Sequence, residues 1–157
     1  VKTQEKMISY NVGGVNQQIR VKIPGGIADG KKLRLAGKGQ PGPAGVPPGD
    51  LYIKIKILDH PVFERERNDL YINRDIRFSE AVLGTKIEVP TIDGKRLSLK
   101  IPAGTQSGSK MRLRGHGMPS MDAGRRGDAY VKINVAVPKR LSKKQRAIVE
   151  ELKGLDL

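Results

Sequence analysis

Apolar and polar side chains alternate with a period of two along several segments of the chain. Ile19, Val21 and Ile23 alternate with basic residues, and the same alternation runs through residues 51–57 and 131–137. A period of two predicts β-strands with one buried face and one solvated face, as in antiparallel sheets. The chain is therefore predicted to be mainly β.

Turn-forming residues connect these strands. Asp93-Gly94 lies between two alternating runs in residues 86–101, which predicts a tight hairpin, and Gly13-Gly14 occupies a similar place earlier in the chain. Residues 69–78 form a further predicted strand.

Two segments are predicted to be helical. Residues 78–84 form a short helix with Ser79 as its N-cap and Gly84 as its end. Residues 141–157 form a longer helix, which Ser142 caps and Gly154 ends. An apolar stripe runs along it and consists of Leu141, Gln145, Ile148, Val149 and Leu152. This stripe either packs on the protein's own sheet or binds a partner or a second copy.

An internal repeat organises the β-strands. Residues 19–57 align without a gap to residues 97–135, at an offset of 78, and 16 of the 39 pairs are identical. Such agreement through two glycine-rich loops of equal length indicates a duplication. We expect two tandem β-sandwich-like or barrel-like modules, module one (residues 1–58) and module two (residues 59–138), followed by a dimerisation helix (residues 139–157).

The repeat predicts that module one lacks a strand. Module two opens with the strand at residues 69–78, and the matching strand of module one would fall before Val1. A sheet without this strand leaves an unpaired edge. We therefore expect the chain to be a fragment whose upstream part fills that edge.

Charge and composition narrow the classes of function. The chain carries 30 Lys and Arg against 16 Asp and Glu, a net charge of +14, which favours anionic partners. It has no cysteine, and no apolar run is long enough to cross a bilayer. We expect a cytoplasmic protein that does not bind a membrane.

The glycine-rich stretch at residues 22–39 does not have the features of a phosphate-binding loop, because a β pattern rather than a helix follows it. Its twin at residues 100–117 indicates a scaffold role. His116 aligns with Lys38, which argues against a general base there, and His60 is interpreted as structural. We predict no enzyme activity, no metal site and no cofactor.

Two binding functions remain open from the residues alone. The charge favours duplex DNA through backbone contacts, but aromatic residues make up only 4% of the chain, which argues against a stacking platform for single strands. A sheet with an exposed edge and apolar clefts can instead bind an extended polypeptide.

Several phrases, taken together and in order, resemble the C-terminal substrate-binding region of DnaJ-type co-chaperones: "GDLYIKIKILDHPVFERERNDLYI", "FSEAVLGTKIEVPTIDG", "LSLKIPAGTQSG" and "RLRGHGMP". The resemblance covers essentially the whole chain. It implies two β-rich modules, a C-terminal helix that joins a homodimer, and binding of non-native polypeptides for transfer to a DnaK-type ATPase chaperone. The absent cysteine-rich module implies the zinc-free branch, which includes relatives of curved-DNA-binding protein and keeps DNA as the alternative partner.

The resemblance also implies a groove on module one for client segments and for the acidic C-terminal tail of the DnaK-type partner. By position, Ile8, Tyr10 and Ile53 supply apolar contacts, and Lys6 lies nearby for acidic groups. The alternative is that these three apolar residues belong to the core. The expected dimerisation residues are Ile148, Val149, Leu152 and Leu155.

Overall fold

The computed structural model describes residues 2–120 and 124–155 of the 157-residue chain. The elements are β1 (Gln4–Val12), β2 (Val15–Ile23), β3 (Lys32–Leu35), β4 (Leu51–Lys54), β5 (Glu64–Glu66), β6 (Asp69–Arg77), α1 (Phe78–Leu83), β7 (Thr85–Pro90), β8 (Arg96–Ile101), β9 (Lys110–Leu113), β10 (Ala129–Ala136) and α2 (Lys143–Gly154). The predicted mainly β fold with a C-terminal helix is confirmed. Its strands form several open sheets, and none of those described closes into a barrel.

Module two has a well-formed core between two sheets. Its four-stranded sheet has the order β5-β6-β10-β9, and β6 lies parallel to β10, while β7 and β8 form a separate antiparallel hairpin. The alternating apolar residues of both sheets meet in one buried cluster, which includes Leu70 and Ile72 of β6, Val89 of β7 and Ile133 of β10. This burial of apolar surface is the main force that stabilises the module.

Module one consists of two hairpins, β1–β2 and β3–β4. Both alternate as the sequence predicts, but their apolar faces are largely half-buried. Among the described residues of this module, Val21 and Ile27 are the buried apolar ones. Module one therefore has the strands of a sandwich without the closed core of its twin.

The repeat is visible in matching side-chain contacts. In module one, the Asp50 carboxylate accepts hydrogen bonds from Arg34 Nε at 2.6 Å and from the Gly37 amide at 3.0 Å. In module two, Asp128 accepts from Arg112 Nε and from the Gly115 amide, both at 2.7 Å. These identical residues hold the glycine-rich loop against the following strand in both copies. This geometry agrees with the scaffold role expected for that stretch.

The pKa values of both aspartates are lowered, in each case mainly by a hydrogen bond from a glycine amide of the loop. The Gly37 amide and the Arg34 guanidinium hold the pKa of Asp50 below its ordinary value. For Asp128, the Gly115 amide contributes most to a lowered pKa.

The helix ends agree only partly with the sequence. The predicted N-cap of α1, Ser79, is wrong: β6 runs directly into the helix, the N-cap is Arg77, and its amide donates to the Glu80 carboxylate at 2.8 Å. Ser142 caps α2 as predicted, because its Oγ accepts from the Gln145 amide at 3.2 Å. The helix ends at Gly154, and residues 156 and 157 of the predicted segment lie outside the described part of the chain.

Candidate peptide-binding site

The β1–β2 hairpin brings three of the predicted site residues onto one face. Lys6, Ile8 and Tyr10 are two residues apart on β1, so their side chains point the same way. Their partners on β2 are Val21, Ile19 and Gln17, and the Tyr10 hydroxyl donates to Gln17 Oε1 at 3.0 Å. Ile8 and Tyr10 are half-buried, whereas Lys6 is exposed. The result is an apolar strip with a lysine beside it.

The opposite face of the same hairpin is polar and solvated. Glu5 and Arg20 form an ion pair there at 3.7 Å, and Met7 is 60% exposed. Because the two faces of β1 differ so clearly, substitutions on either face provide matched comparisons.

Ile53, the fourth predicted residue, lies in a different sheet. It is half-buried on β4, where its partner is Leu33 of β3, and the structure does not pair β4 with β1. The structure therefore groups Lys6, Ile8 and Tyr10 on one face of β1 and places Ile53 in the other hairpin of the module, on the apolar face of β4.

The twin module shows what these positions look like when the core is closed. Ile8 pairs with Ile19, and Val89 pairs with Leu97, the repeat equivalent of Ile19, so Ile8 corresponds to Val89. Ile53 corresponds to Val131 through the offset of 78. Val89 and Val131 are both 0% exposed. The same positions are thus closed core in module two and half-open in module one.

The strand β6 accounts for this difference. It pairs with β10 and contributes Leu70, Ile72 and Ile76 to the core of module two. Strand β4 of module one pairs with β3 on one side, and the described residues supply no strand on its other side. Within the described residues, β10 thus has a second neighbour that β4 does not have, and the apolar face of β4 is half-buried.

A cleft of about 800 Å³ lies at the junction of the two modules and was not anticipated from the sequence. Its lining includes apolar residues from both modules: Ile23, Ile27, Ile57, Phe63, Ile92 and Met118. Gln4, which shares a face with Lys6, also lines it, so this face of β1 reaches the cleft through polar residues. The sequence signal that could have found it is the apolar "IPGGI" loop, whose twin "IPAGT" is more polar.

Arg65 joins the modules beside this cleft. Its Nη1 and Nη2 donate to the carbonyls of Ile27 and Gly26 at 2.8 and 2.7 Å, and its Nε donates to the Arg67 carbonyl at 2.7 Å. Burial lowers the pKa of Arg65. Arg67 adopts a left-handed conformation with φ of 54°, which turns its carbonyl toward this guanidinium.

His60 lies at the same junction and has a structural role there. Its Nδ1 accepts from the amides of Val62 and Phe63 at 3.2 and 3.3 Å, and its ring lies 5.0 Å from that of Phe63.

In residues 2–120 and 124–155, no group of three or more His, Cys, Asp or Glu side chains is placed to hold a metal ion. No helix in that part of the chain is both long and apolar enough to cross a membrane.

The fold is that of a duplicated β-sheet domain whose first module leaves an apolar face open. The family model of the DnaJ C terminal domain matches residues 1–138. The chain belongs to this family.

Relatives with known names agree with this assignment. The chain is 51% identical over 133 residues to "Chaperone protein DnaJ" of Leptospira biflexa, which covers 85% of this chain and 36% of the relative. It is 47% identical over 133 residues to the DnaJ of Acetobacter pasteurianus, with 85% and 35% covered, and 50% identical over 127 residues to "Chaperone protein DnaJ 2" of Aquifex aeolicus, with 81% and 34% covered.

The chain thus spans about a third of the length of these relatives. Their names describe chaperones and do not favour the alternative of DNA binding. Membership of the zinc-free branch stays a prediction.

Proposed function

We propose that the chain is the client-binding part of a co-chaperone, which holds non-native polypeptides through module one. The observation that carries this proposal is the open apolar strip of β1, at positions that are closed core in module two. Ile8 and Tyr10 lose water when an extended apolar segment covers them, which favours binding. Membership of the DnaJ C terminal domain family supports the same function.

The bound client is then transferred to a DnaK-type ATPase chaperone, and we propose that this transfer takes place in the cytoplasm. Its acidic C-terminal tail docks beside Lys6, which is exposed in line with Ile8 on β1. The net charge of +14 attracts such a tail over a distance of about 10 Å at ordinary salt concentrations. Neither catalysis nor a cofactor is part of this function.

Replacing both Ile8 and Tyr10 by serine tests the client site. Both side chains are already half-buried, so a client that covers the remainder gains about 0.7 kcal/mol or more from each, and we expect the double variant to bind an unfolded polypeptide about tenfold more weakly or worse. The measurement is the concentration of protein that halves the aggregation of a chemically denatured model protein, with circular dichroism as the check on folding.

The matched control is Met7→Ser, which removes an apolar side chain from the opposite face of the same strand. We expect it to leave client binding unchanged. Equal client binding by the double variant and the unaltered protein would show that clients do not use this strip.

We also propose that α2 forms a homodimer through Ile148, Val149, Leu152 and Leu155. Within the described chain α2 buries none of its residues, so its apolar stripe does not pack on the protein's own sheets. Ile148 and Val149 are 49% and 48% exposed, and Leu155 is 72% exposed. An amphipathic helix of this kind is stabilised when a second copy covers its stripe.

Ile148→Asp is expected to weaken the dimer by at least about a hundredfold, because a charge in an apolar interface without a partner costs several kcal/mol. Sedimentation velocity over a range of protein concentrations measures the association. Glu150→Ser, on the other side of the helix, is the control and should leave the association unchanged. A monomer at all concentrations for the unaltered protein would contradict the proposal.

A further inference from the structure

Two lysines face each other on the outer side of the four-stranded sheet of module two. Lys110 of β9 lies directly opposite Lys132 of β10 in the antiparallel register, and both side chains are exposed. The Cβ atoms of such partners are about 5 Å apart, so two like charges there destabilise the sheet. Neither lysine forms an ion pair with any other residue that the structure describes. An anion from outside the chain would relieve this repulsion.

Module one contains the same pair of lysines. Lys32 of β3 lies opposite Lys54 of β4, and both are exposed. At the repeat offset of 78 they are identical to Lys110 and Lys132. Within residues 2–120 and 124–155, no ion pair neutralises them either. The unfavourable arrangement is thus present in both copies of the repeat, and we call these four residues the lysine pairs.

Protection of a sheet edge explains only one lysine of the pair in module two. Lysines on an edge strand keep sheets from associating, which accounts for Lys110 on the edge strand β9. It does not account for Lys132, because β10 has a neighbouring strand on either side. The nearby Arg112 has a role within the chain, since it pairs with Asp128 and holds the glycine-rich loop. A charged lysine opposite another lysine on a central strand favours a ligand instead.

The side chains next to the lysine pair of module two on the same face are uncharged. On β6, Tyr71 and Asn73 lie beside Tyr130 and Lys132 in the parallel register. Lys110 Nζ lies 5.8 Å from the centroid of the Tyr71 ring, which stacks on the Tyr130 ring at a centroid distance of 5.3 Å. The two lysines thus border neutral aromatic and amide side chains.

The acidic residues of this sheet lie further from the lysine pair or are bonded elsewhere. Glu64 and Glu66 are on β5, which β6 separates from β10. Asp69 and Asp128 accept hydrogen bonds from backbone amides at the end of the sheet where the glycine-rich loop lies. Asp75 lies further along β6, where its carboxylate accepts from an asparagine of β10 at 3.2 Å. The potential at the lysine pair is therefore positive, as is the net charge of +14.

The outer face of a sheet recognises a ligand through side chains alone. The backbone groups lie in the plane of the sheet and bond to neighbouring strands, so an extended polypeptide that crosses the face cannot add to it as a strand. Ammonium groups act as point charges that bind phosphate without demanding a single geometry. A chain of phosphates presents repeated charges and releases counterions when lysines neutralise them, which gives affinity without any reading of sequence.

We propose that the outer faces of β3–β4 and β9–β10 each bind the phosphate groups of a linear polyanion, either a nucleic-acid backbone or inorganic polyphosphate. The lysine pairs neutralise the phosphates. Tyr52 and Tyr130 lie on the same faces, two residues before the lysines of β4 and β10, and their hydroxyl groups are the neighbouring hydrogen-bond donors. Such a ligand is not a client, so this binding is independent of the proposed function.

A short, fluorescently labelled DNA duplex of mixed sequence is the probe, and fluorescence anisotropy between about 50 and 200 mM salt measures its binding. The logarithm of the binding constant falls with the logarithm of the salt concentration, with a slope of about −0.9 for each phosphate contact. Lys110→Gln together with Lys132→Gln should therefore make the slope shallower by about 2 and weaken binding at the lower salt concentration by about tenfold. Lys32→Gln together with Lys54→Gln should have the same effect.

Lys86→Gln together with Lys100→Gln is the matched control. These two lysines also lie opposite each other and are exposed, on the outer face of β7–β8. The repeat does not keep that pair, since Glu5 of module one takes the place of Lys86. We expect the control to leave the salt slope nearly unchanged. Urea unfolding checks the fold, and each double variant should be at least as stable as the unaltered protein, because the like charges no longer repel each other.

Unlabelled competitors identify the ligand. Inorganic polyphosphate and the unlabelled duplex are added at equal phosphate concentrations, and the stronger competitor shows which source of phosphate the lysine pairs prefer. Polyglutamate should compete at least about tenfold less well, because it carries about one charge per 3.3 Å of extended chain against about one per 1.7 Å of duplex.

Equal salt slopes for the unaltered protein and both lysine-pair variants would overturn this proposal. An equal loss in the control variant would also overturn it, because binding would then follow the net charge alone. Equal competition by polyglutamate would mean that acidic polypeptides, not phosphates, are the ligands. Suppression of aggregation should not change in any of these variants, so the proposed function is tested separately.

Discussion

Replacing Ile133 by alanine is expected to lower the free energy of unfolding by about 4 kcal/mol, whereas Ile55→Ala is expected to cost about 1 kcal/mol. The two isoleucines are repeat equivalents at an offset of 78, so the chemical change is the same. Ile133 is 0% exposed in the core of module two, where its removal leaves a cavity. Ile55 follows β4 in module one and is only half-buried, so water already reaches part of its side chain.

Unfolding in urea, followed by circular dichroism, measures both costs, and the modules need not unfold together. Equal losses for the two variants would mean that module one has a closed core, and that its apolar strip is not available to a client.

Alternation and the repeat were sufficient to predict the longer strands, but not the three-residue strand β5. Residues that alternate on β2, β4 and β10 are the ones that the structure buries or half-buries, because the period of two fixes which side chains share a face. Alternation is a local signal, and the repeat compares the chain with itself, so a single sequence is enough to detect both.

Contacts between the modules could not be predicted in this way. Arg65 donates hydrogen bonds to the carbonyls of Gly26 and Ile27, which lie almost 40 positions away in the chain. Arg67, two residues further on, adopts the αL conformation. The repeat gives no help there, because a junction between two copies occurs once. For the same reason the junction cleft could not be predicted from the sequence.

Replacing Arg65 by methionine is expected to release module one from module two. The substitution keeps a long apolar side chain but removes the donors to the Gly26 and Ile27 carbonyls. Hydrogen bonds from a charged donor contribute about 1.5–3 kcal/mol each, so we expect a loss of roughly 3 kcal/mol in the coupling between the modules. Arg65→Lys should have nearly the same effect, because one ammonium group does not reproduce the planar fork of a guanidinium.

Close packing at the junction makes this release measurable. Gly26 has φ of +81°, and a Cβ there would lie 2.1 Å from the Pro119 carbonyl oxygen, so the module-one loop fits against module two in one arrangement. Spin labels on cysteines introduced at Lys22 and Lys100, exposed repeat equivalents on β2 and β8, report the distance between the modules. The unaltered junction should give a narrow distribution of distances, and Arg65→Met a broad one.

Arg126→Met is the matched control, because it removes a guanidinium with similar contacts inside module two. Arg126 donates through Nε and Nη2 to the Gly117 carbonyl at 3.1 and 2.9 Å, and through Nη1 to the Asp93 carboxylate at 2.7 Å, where it lowers the pKa of Asp93. Its loss should destabilise module two and leave the distance distribution narrow. A narrow distribution in Arg65→Met would instead show that packing around Gly26 and Ile27 holds the modules without the guanidinium. Broadening by Arg65→Met alone would identify Arg65 as the residue that holds module one against module two.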